Sequence, residues 1–298
     1  MLKSSSLNRI MRMTLLLFVL VILYLSPNNN NEYNLKVVKA TSSNYHDIFL
    51  LDKNNYVSKT TISVKSIEKE KLALDLLNSL VIDGINKNKI PSSFKAIIPK
   101  NTTIDKVKVD NEHILVSFSE DILKEENNKE KMIECIVYTL TSIPNIKYVN
   151  ILVNEKENNY FKNEYTRDIG INKKIDITSL NDINNVTIYY VSSNNNVNYY
   201  IPVTKYINSK DDKINIIINE LSSKSSYESN LMSYLNNETK LMSYTLEDND
   251  LNLYFNEAIL NSKKDNKILE EVIYSISYSI KDSIEVSNIH FYVNDKEI

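Results

Sequence analysis

The 298-residue sequence has very little of some residue types, and each shortage excludes a class of site. With only 2 glycines, the chain cannot form the glycine-rich loops that cradle phosphates or dinucleotides. The single cysteine, Cys135, excludes an intramolecular disulfide and any cysteine-cluster metal site. Cys135 falls within an apolar helical pattern, so we interpret it as a small buried hydrophobe.

The chain also lacks an excess of charge of either sign. It has 35 basic and 38 acidic residues, a formal net charge of −3 and no long run of one sign, so nucleic acid is not expected as a partner. The histidines, His46, His113 and His290, have neither i, i+4 spacing nor an HExxH motif, so no metal site is expected. Signatures of a nucleophile elbow or a P-loop are absent, and no cofactor is expected.

Residues 1–27 are predicted to be a membrane segment. A basic stretch, "KSSSLNRIMR", precedes the apolar run "MTLLLFVLVILYL" from Met13 to Leu25. That run is shorter than the ~20 residues of a typical span, but counting from Ile10 gives a short span with its basic flank inside. We favour an uncleaved single-pass anchor in the cell membrane, with the bulk of the chain extracytoplasmic. The alternative is a signal peptide whose cleavage releases a secreted protein.

The rest of the chain is an internal repeat behind a tether. Residues 28–45 are polar and rich in asparagine, which predicts a flexible tether. Two similar halves follow, residues 46–157 and 186–298, joined by a linker of residues 158–185. The halves end alike, in "NILVNEKE" and "HFYVNDKE", and further matches recur in the same order along both. Each ending is expected to be the last strand of its sheet, finishing in solvent.

Each half is predicted to have the order β-β-α-β-β-α-β. Alternating apolar runs across short polar turns, such as those that lead into "ILVSFSEDIL" and "LNLYFNEAIL", predict hairpins. Apolar residues at helical spacing predict helices over residues 72–80, 128–143, 214–221 and 265–280. Tyr138 and Tyr274 are placed at matching positions. The expected fold class is α+β, with two tandem small two-layer domains, each of two helices packed on one sheet.

Several segments carry a resemblance to a known family. They are "LALDLLNSL", "IIPKNTTIDKVKV" and "YTLTSIPNIKYVNILVN" in the first half, and "YYIPVTKYI", "LNLYFNEAIL" and "VSNIHFYVND" in the second. In these the sequence resembles the GerM domain family, the sporulation and spore germination domain of Gram-positive bacteria, as two tandem copies.

The sequence departs from the family pattern at turns. Asn101 stands where the family prefers glycine, and Asn236 replaces the proline that Pro99 supplies in the first copy. Glu155 and Asp295 replace the family's terminal glycine. Because these departures lie at turns, they affect the expected geometry of the turns and not the expected fold.

The resemblance implies a function through assembly. The family is similar to ring-building modules, small α+β domains that stack side by side in the channel between mother cell and forespore. We therefore expect a non-catalytic, membrane-anchored scaffold of the cell envelope. Its expected partners are further copies of itself or other envelope proteins.

Two alternatives rest on particular side chains. Tyr199 and Tyr200 could stack on sugars, which would make the protein a peptidoglycan-binding module, although strand alternation directs half of the tyrosines into the core. Glu120 and Glu257 follow the same hairpin strand in both copies and could serve an envelope hydrolase. No second carboxylate or nucleophile recurs beside them, so we expect them to cap a turn or make an exposed contact instead.

Overall fold

The computed structural model describes residues 45–194, 197–223, 231–261 and 267–298. These residues belong to one compact unit in which each half has its own hydrophobic core. The predicted membrane segment and, up to residue 44, the predicted tether lie outside the described residues. Within the part that is described, no helix is long and apolar enough to cross a membrane.

The predicted order of elements is found in both halves, with short extra strands. The first half contains β1 (Tyr45–Asp52), β2 (Val57–Ser63), α1 (Lys69–Leu80), β3 (Phe94–Lys95), β4 (Ile104–Asp110), β5 (His113–Phe118), α2 (Lys129–Leu140) and β6 (Tyr148–Val153). The linker contributes β7 (Lys174–Asp176). The second half contains β8 (Ile183–Asn194), β9 (Val197–Asn208), α3 (Lys213–Ser222), β10 (Leu241–Glu247), β11 (Asp250–Phe255), α4 (Glu270–Ser283), β12 (Asn288–Val293) and β13 (Lys296–Glu297).

The prediction of one sheet in each half is wrong. Strands β4, β5 and β6 form one small sheet, and β10 to β13 form another. The hairpins β1–β2 and β8–β9 instead join into a single sheet that spans both halves, because β2 pairs with β9. The physical reason is that β6 and β12 pair in parallel with β5 and β11 across a crossover helix, which completes the small sheets and leaves the hairpins to pair with each other.

A matched hydrogen bond fixes how the two copies align. The Phe49 N–H donates to Thr139 Oγ1 at 3.0 Å, and the Tyr189 N–H donates to Ser279 Oγ at 2.9 Å, with the same separation of 90 residues. Tyr138, next to Thr139, therefore matches the residue next to Ser279. That residue is Tyr278, so the match to Tyr274 was wrong. Tyr274 and Tyr278 are four residues apart, which is about one helical turn. A shift of one turn keeps the apolar residues of the two helices aligned, so the apolar pattern alone could not reveal it.

The repeated endings form tight, solvent-exposed turns; β6 is the last strand of its sheet, as predicted, whereas β12 is followed by β13. Asn154 and Glu155 have φ values of 47° and 60°, and Asn294 and Asp295 have 51° and 59°. Two successive residues with positive φ form the turn that joins antiparallel strands. The chain accordingly folds back, since β13 pairs with β12 and residue 156 bridges to residue 153. In the strands before these turns, Ile151, Val153, Phe291 and Val293 are buried.

Asparagine and aspartate take the place of glycine in these turns. Among the described residues, every non-glycine residue with positive φ is Asn or Asp except Glu155, and Asn101 is one of them, with φ of 70°. Short polar side chains tolerate this conformation because they can hydrogen-bond locally. The departures from the family's glycines therefore keep the left-handed geometry.

The linker packs along the first half before it crosses to the second. Phe161 and Tyr165 are buried in the first core, so they do not pack between the halves. Gly170, with φ of 70°, makes a turn in the linker. Beyond it, the Ile171 N–H donates to Thr204 Oγ1 of β9 at 2.9 Å, which attaches the linker to the second hairpin.

Exchanging the acidic residue of the two repeated turns should change stability in opposite directions. We expect Glu155→Asp to raise the free energy of unfolding by about 0.5 kcal/mol, a fraction of the cost of a left-handed conformation to an ordinary residue. Asp295→Glu should lower it by a similar amount. Urea denaturation in about 0.5 M NaCl checks this, because salt screens the exposed Lys106–Glu155 pair. If both substitutions changed the free energy of unfolding in the same direction and by the same amount, the prediction would be wrong.

Candidate functional site at the joint between the halves

The two hairpins meet where β2 pairs with β9, with Lys59 opposite Tyr200. The ladder cannot continue normally at Pro202, which has no N–H to donate. Asn172 of the linker fills the gap. Its Nδ2 donates to the carbonyl oxygens of Val57 and Pro202, both at 2.7 Å, and its Oδ1 accepts from the Val57 N–H at 3.0 Å. One linker side chain thus joins the backbones of both hairpins.

Glu134 supports this asparagine from helix α2. Its carboxylate accepts from the Asn172 N–H at 3.1 Å, and the side chain is buried. Burial raises the pKa of Glu134 to about 7, although the hydrogen bond from Asn172 and the charge of Lys173 lower it. Glu134 was not predicted as a site residue. Its signal in the sequence is an acidic residue inside the apolar pattern of a helix.

Tyr199 is part of the joint, and its ring is buried. Its hydroxyl donates to Asp52 Oδ2 at 2.9 Å and accepts from Ser192 Oγ at 3.1 Å, and its ring packs edge-on against Phe94. Burial raises the pKa of Asp52, although the hydrogen bond from Tyr199 lowers it. Tyr199 therefore connects β9 to β1 and offers no open face to a sugar.

Tyr200 is half-buried in a cluster of aromatic rings. Its ring lies edge-on to those of Tyr274 and Tyr278, at centroid distances of 5.9 and 5.2 Å. The Lys59 ammonium sits over the ring of Tyr278, 3.6 Å from the centroid, in cation–π geometry. The cluster therefore combines rings from β9 and α4 with a cation from β2.

Glu120 and Glu257 have the same role in the two copies and are not brought together. Asn154 Nδ2 donates to Glu120 Oε1 at 2.9 Å, and Asn294 Nδ2 donates to Glu257 Oε1 at 3.0 Å. Each glutamate therefore holds the asparagine that opens the repeated turn. This contact gives a structural reason for the recurrence of the asparagine.

A buried ion pair connects the linker to the second half. Arg167 forms an ion pair with Asp282 of α4, and its Nε donates to Thr141 Oγ1 at the end of α2 at 2.9 Å. The side chain of Asp282 is 2% exposed and that of Arg167 is 29% exposed. Burial opposes the charge of Arg167, but the Asp282 carboxylate raises its pKa above the ordinary value.

This ion pair lies in a cleft of about 620 Å³ with walls from both halves and the linker. A second pair, Lys59 with Asp47 at 2.8 Å, also lines it. Burial lowers the pKa of Lys59, partly offset by Asp47. Arg167 and Asp282 were not predicted from the sequence, because 115 residues separate them and neither belongs to a local motif.

The remaining candidates form no reactive group. His113 stacks on Tyr148 with a centroid distance of 4.4 Å, and His290 pairs with Glu297 at 2.7 Å. Within the ranges that the structure covers, no group of three His, Cys, Asp or Glu side chains could hold a metal ion. Cys135 is buried as predicted, and burial raises the pKa of its thiol.

Removing the Asp282 carboxylate should destabilise the whole unit. Asp282→Ala leaves Arg167 without its partner, which costs ~3–5 kcal/mol for a fully buried pair, and we expect about 2–3 kcal/mol here since Arg167 is partly exposed. The matched control is Lys147→Ala, which removes an exposed pair with Glu112 and should cost less than ~1 kcal/mol. Denaturant unfolding measures both. Similar small losses would show that the buried pair is not structural.

Glu134 should make stability fall as pH rises toward neutrality. The folded chain keeps a proton up to about pH 7, whereas the unfolded chain loses it near the ordinary pKa of 4.5. Stability therefore declines between these values, by roughly 3 kcal/mol at most, and is flat above them.

Glu134→Gln should remove this decline, because the amide oxygen still accepts from Asn172 and carries no charge. The substitution is expected to raise stability near pH 8 and to leave it unchanged near pH 4. Thermal unfolding across this range is the measurement. Parallel profiles for the two proteins would overturn the assignment.

Comparison with known proteins shows where the repeat belongs. Residues 47–159 and 187–298 match the family described as "Germane: Sporulation and spore germination". The chain is 29% identical over 276 residues to "Spore germination protein GerM" of Bacillus subtilis (strain 168), a match that covers 88% of this chain and 74% of that protein. The solved tandem GerMN domains of the Bacillus subtilis sporulation protein GerM match with a TM-score of 0.75 at 27% identity, covering 85% of this chain and 91% of that one. The chain therefore belongs to the GerM family of sporulation and spore germination proteins and carries two tandem copies of its domain.

Proposed function

We propose that this protein is a non-catalytic scaffold of the cell envelope that works by lateral association during sporulation or germination. Residues 1–27 hold it in the membrane as a single-pass anchor, and the two joined domains lie outside. The family and the Bacillus subtilis relative support the process. The observation that carries the proposal is a difference between the two small sheets at their edge strands.

The edge strands β4 and β10 occupy equivalent places in the two copies. Each pairs with the next strand in the same register, with Val107 opposite Val116 and Tyr244 opposite Leu253, and each has an irregularity near its start. Charged side chains on an edge strand discourage pairing with another chain. The charged residues of β4 are Asp105, Lys106, Lys108 and Asp110, and their counterparts on β10 are Met242, Ser243, Thr245 and Glu247.

The edge of β10 suits pairing with a second copy of itself. Met242 is 67% exposed and Leu246 is 45% exposed, and no described strand pairs with the outer edge of β10. Antiparallel pairing centred on Tyr244 would place Met242 opposite Leu246 and Ser243 opposite Thr245. Apolar and hydroxyl pairs across strands are favourable, and such a two-fold contact is self-complementary.

The same arrangement is unfavourable for β4. Antiparallel pairing centred on Val107 would place Lys106 opposite Lys108, and like charges directly opposite one another are destabilising. Of these two edge strands, only β10 therefore suits pairing with a second copy. This asymmetry supports an association of defined geometry through β10.

The acidic residues support a non-catalytic role. Glu120 and Glu257 belong to different halves, and each holds an asparagine of a turn. A hydrolase would need a second group poised beside one of them. We therefore place both glutamates in the framework of the repeat.

Giving β10 the charges of β4 should abolish self-association. We expect the detergent-solubilised full chain to form dimers, and Ser243→Lys with Thr245→Lys to be monomeric, because lysines would then face each other across the two-fold axis. Multi-angle light scattering measures the molecular mass of the protein.

The matched control is Lys106→Ser with Lys108→Thr, which changes the other edge and should leave the β10 contact intact. Circular dichroism checks that each variant is folded. A full chain that stays monomeric at high concentration, or dimers that persist in the lysine variant, would overturn the proposal.

A further inference from the structure

The cleft at the joint has features of a binding site that lateral association through β10 does not use. Its volume of about 620 Å³ lies within the range of small-ligand sites, and such sites occur preferentially at domain interfaces. Its walls come from β1, β2, the segment between α2 and β6, the first residue of β6, the linker, β8 and α4. A ligand there would contact both copies and the segment that joins them.

A carboxylate oxygen among the residues that line the cleft lacks a partner. Asp282 Oδ1 pairs with Arg167, but Asp282 Oδ2 has no hydrogen-bond donor among the described residues, although it is buried. A buried acceptor without a donor costs free energy that a ligand's O–H or N–H can recover.

The two most buried cations of the cleft are already paired. The mostly buried Lys59 is matched by Asp47, and Arg167 is matched by Asp282. A further charged group beside either of these two pairs would have no counterion of its own there, which is costly. A hydroxyl group is neutral, can donate to Asp282 Oδ2 and can accept from a lysine or arginine at once.

The walls of the cleft add apolar surface with polar edges. The rings of Tyr148 and Tyr278 are half-buried there, and the exposed ammonium of Lys281 also lines the cleft. His113 stacks on one face of Tyr148 and Lys59 lies over the ring of Tyr278, so these rings offer a ligand their hydroxyl groups and their remaining surface. The combination suits a ring that carries hydroxyl groups.

We propose that the cleft binds a neutral, polyhydroxylated ring, a sugar unit, with Asp282 Oδ2 accepting a hydroxyl hydrogen. This places glycan recognition between the halves instead of on Tyr199 and Tyr200. The sugar could come from a wall glycan or from a free saccharide. The inference does not depend on the proposed association through β10.

Titration of the detergent-solubilised full chain with two neutral probes, chitotriose and maltotriose, tests the proposal. We expect saturable binding by isothermal calorimetry, and at least a tenfold weaker affinity in Asp282→Asn. That variant keeps an oxygen for Arg167 but replaces Oδ2 by a donor. Binding of chitotriose alone would indicate an acetamido sugar of a wall glycan, and binding of both would indicate a general saccharide site.

Two further variants keep the test decisive. Tyr148→Ala at the cleft should also weaken binding, and it replaces Asp282→Asn if circular dichroism shows that variant to be unfolded. Tyr254→Ala, in a stacked pair with Tyr292 outside the cleft, should leave the affinity unchanged. The proposal is overturned if neither probe binds, or if the cleft variants bind as well as the unmodified chain.

Discussion

The ion pair between Arg167 and Asp282 is the contact on which the relation of the two copies depends. Arg167 enters from the linker and also contacts Thr141 at the end of α2, so the linker and the second helix of each copy converge there. A buried pair of this kind adds little net stability but is costly to break, because removing one partner leaves the other unmatched. It therefore acts as a constraint on geometry. Asn172 and the Tyr199–Asp52 hydrogen bond extend the same constraint along the joint.

Much of the fold could be predicted because its signals are local. Alternation and helical spacing predict the strands and helices. The repeat supports the prediction of a helix at α3, because the equivalent segment of the first copy, α1, has clear helical spacing. The arrangement of sheets could not be predicted, because pairing of β2 with β9 connects the edges of elements far apart in sequence. The mismatch of Tyr138 with Tyr274 has a related cause, since a helical pattern repeats with each turn and does not fix its own register.

Some residues of the candidate site could be predicted from the sequence, and others could not. Glu120 and Glu257 were visible in the sequence because they recur at equivalent places, and the structure gives them partners in the repeated turns. The charges of the cleft are not repeated between the copies. Position 282 is an aspartate where the first copy has Ser142, so repetition could not reveal it. The features that the two copies share, such as the repeated turns, belong to the framework of the fold. The cleft at the joint and the open edge of β10 lie where the two copies differ.

If contacts of the linker make the two copies one unit, both halves must unfold together. The sequence has no tryptophan, so a single reporter can be placed in either half at matched half-buried positions, Leu152→Trp on β6 or Tyr292→Trp on β12. If the halves are one cooperative unit, fluorescence will give the same denaturation midpoint and slope for both reporters. Two separate midpoints, with one half unfolding while the other stays folded, would contradict the account.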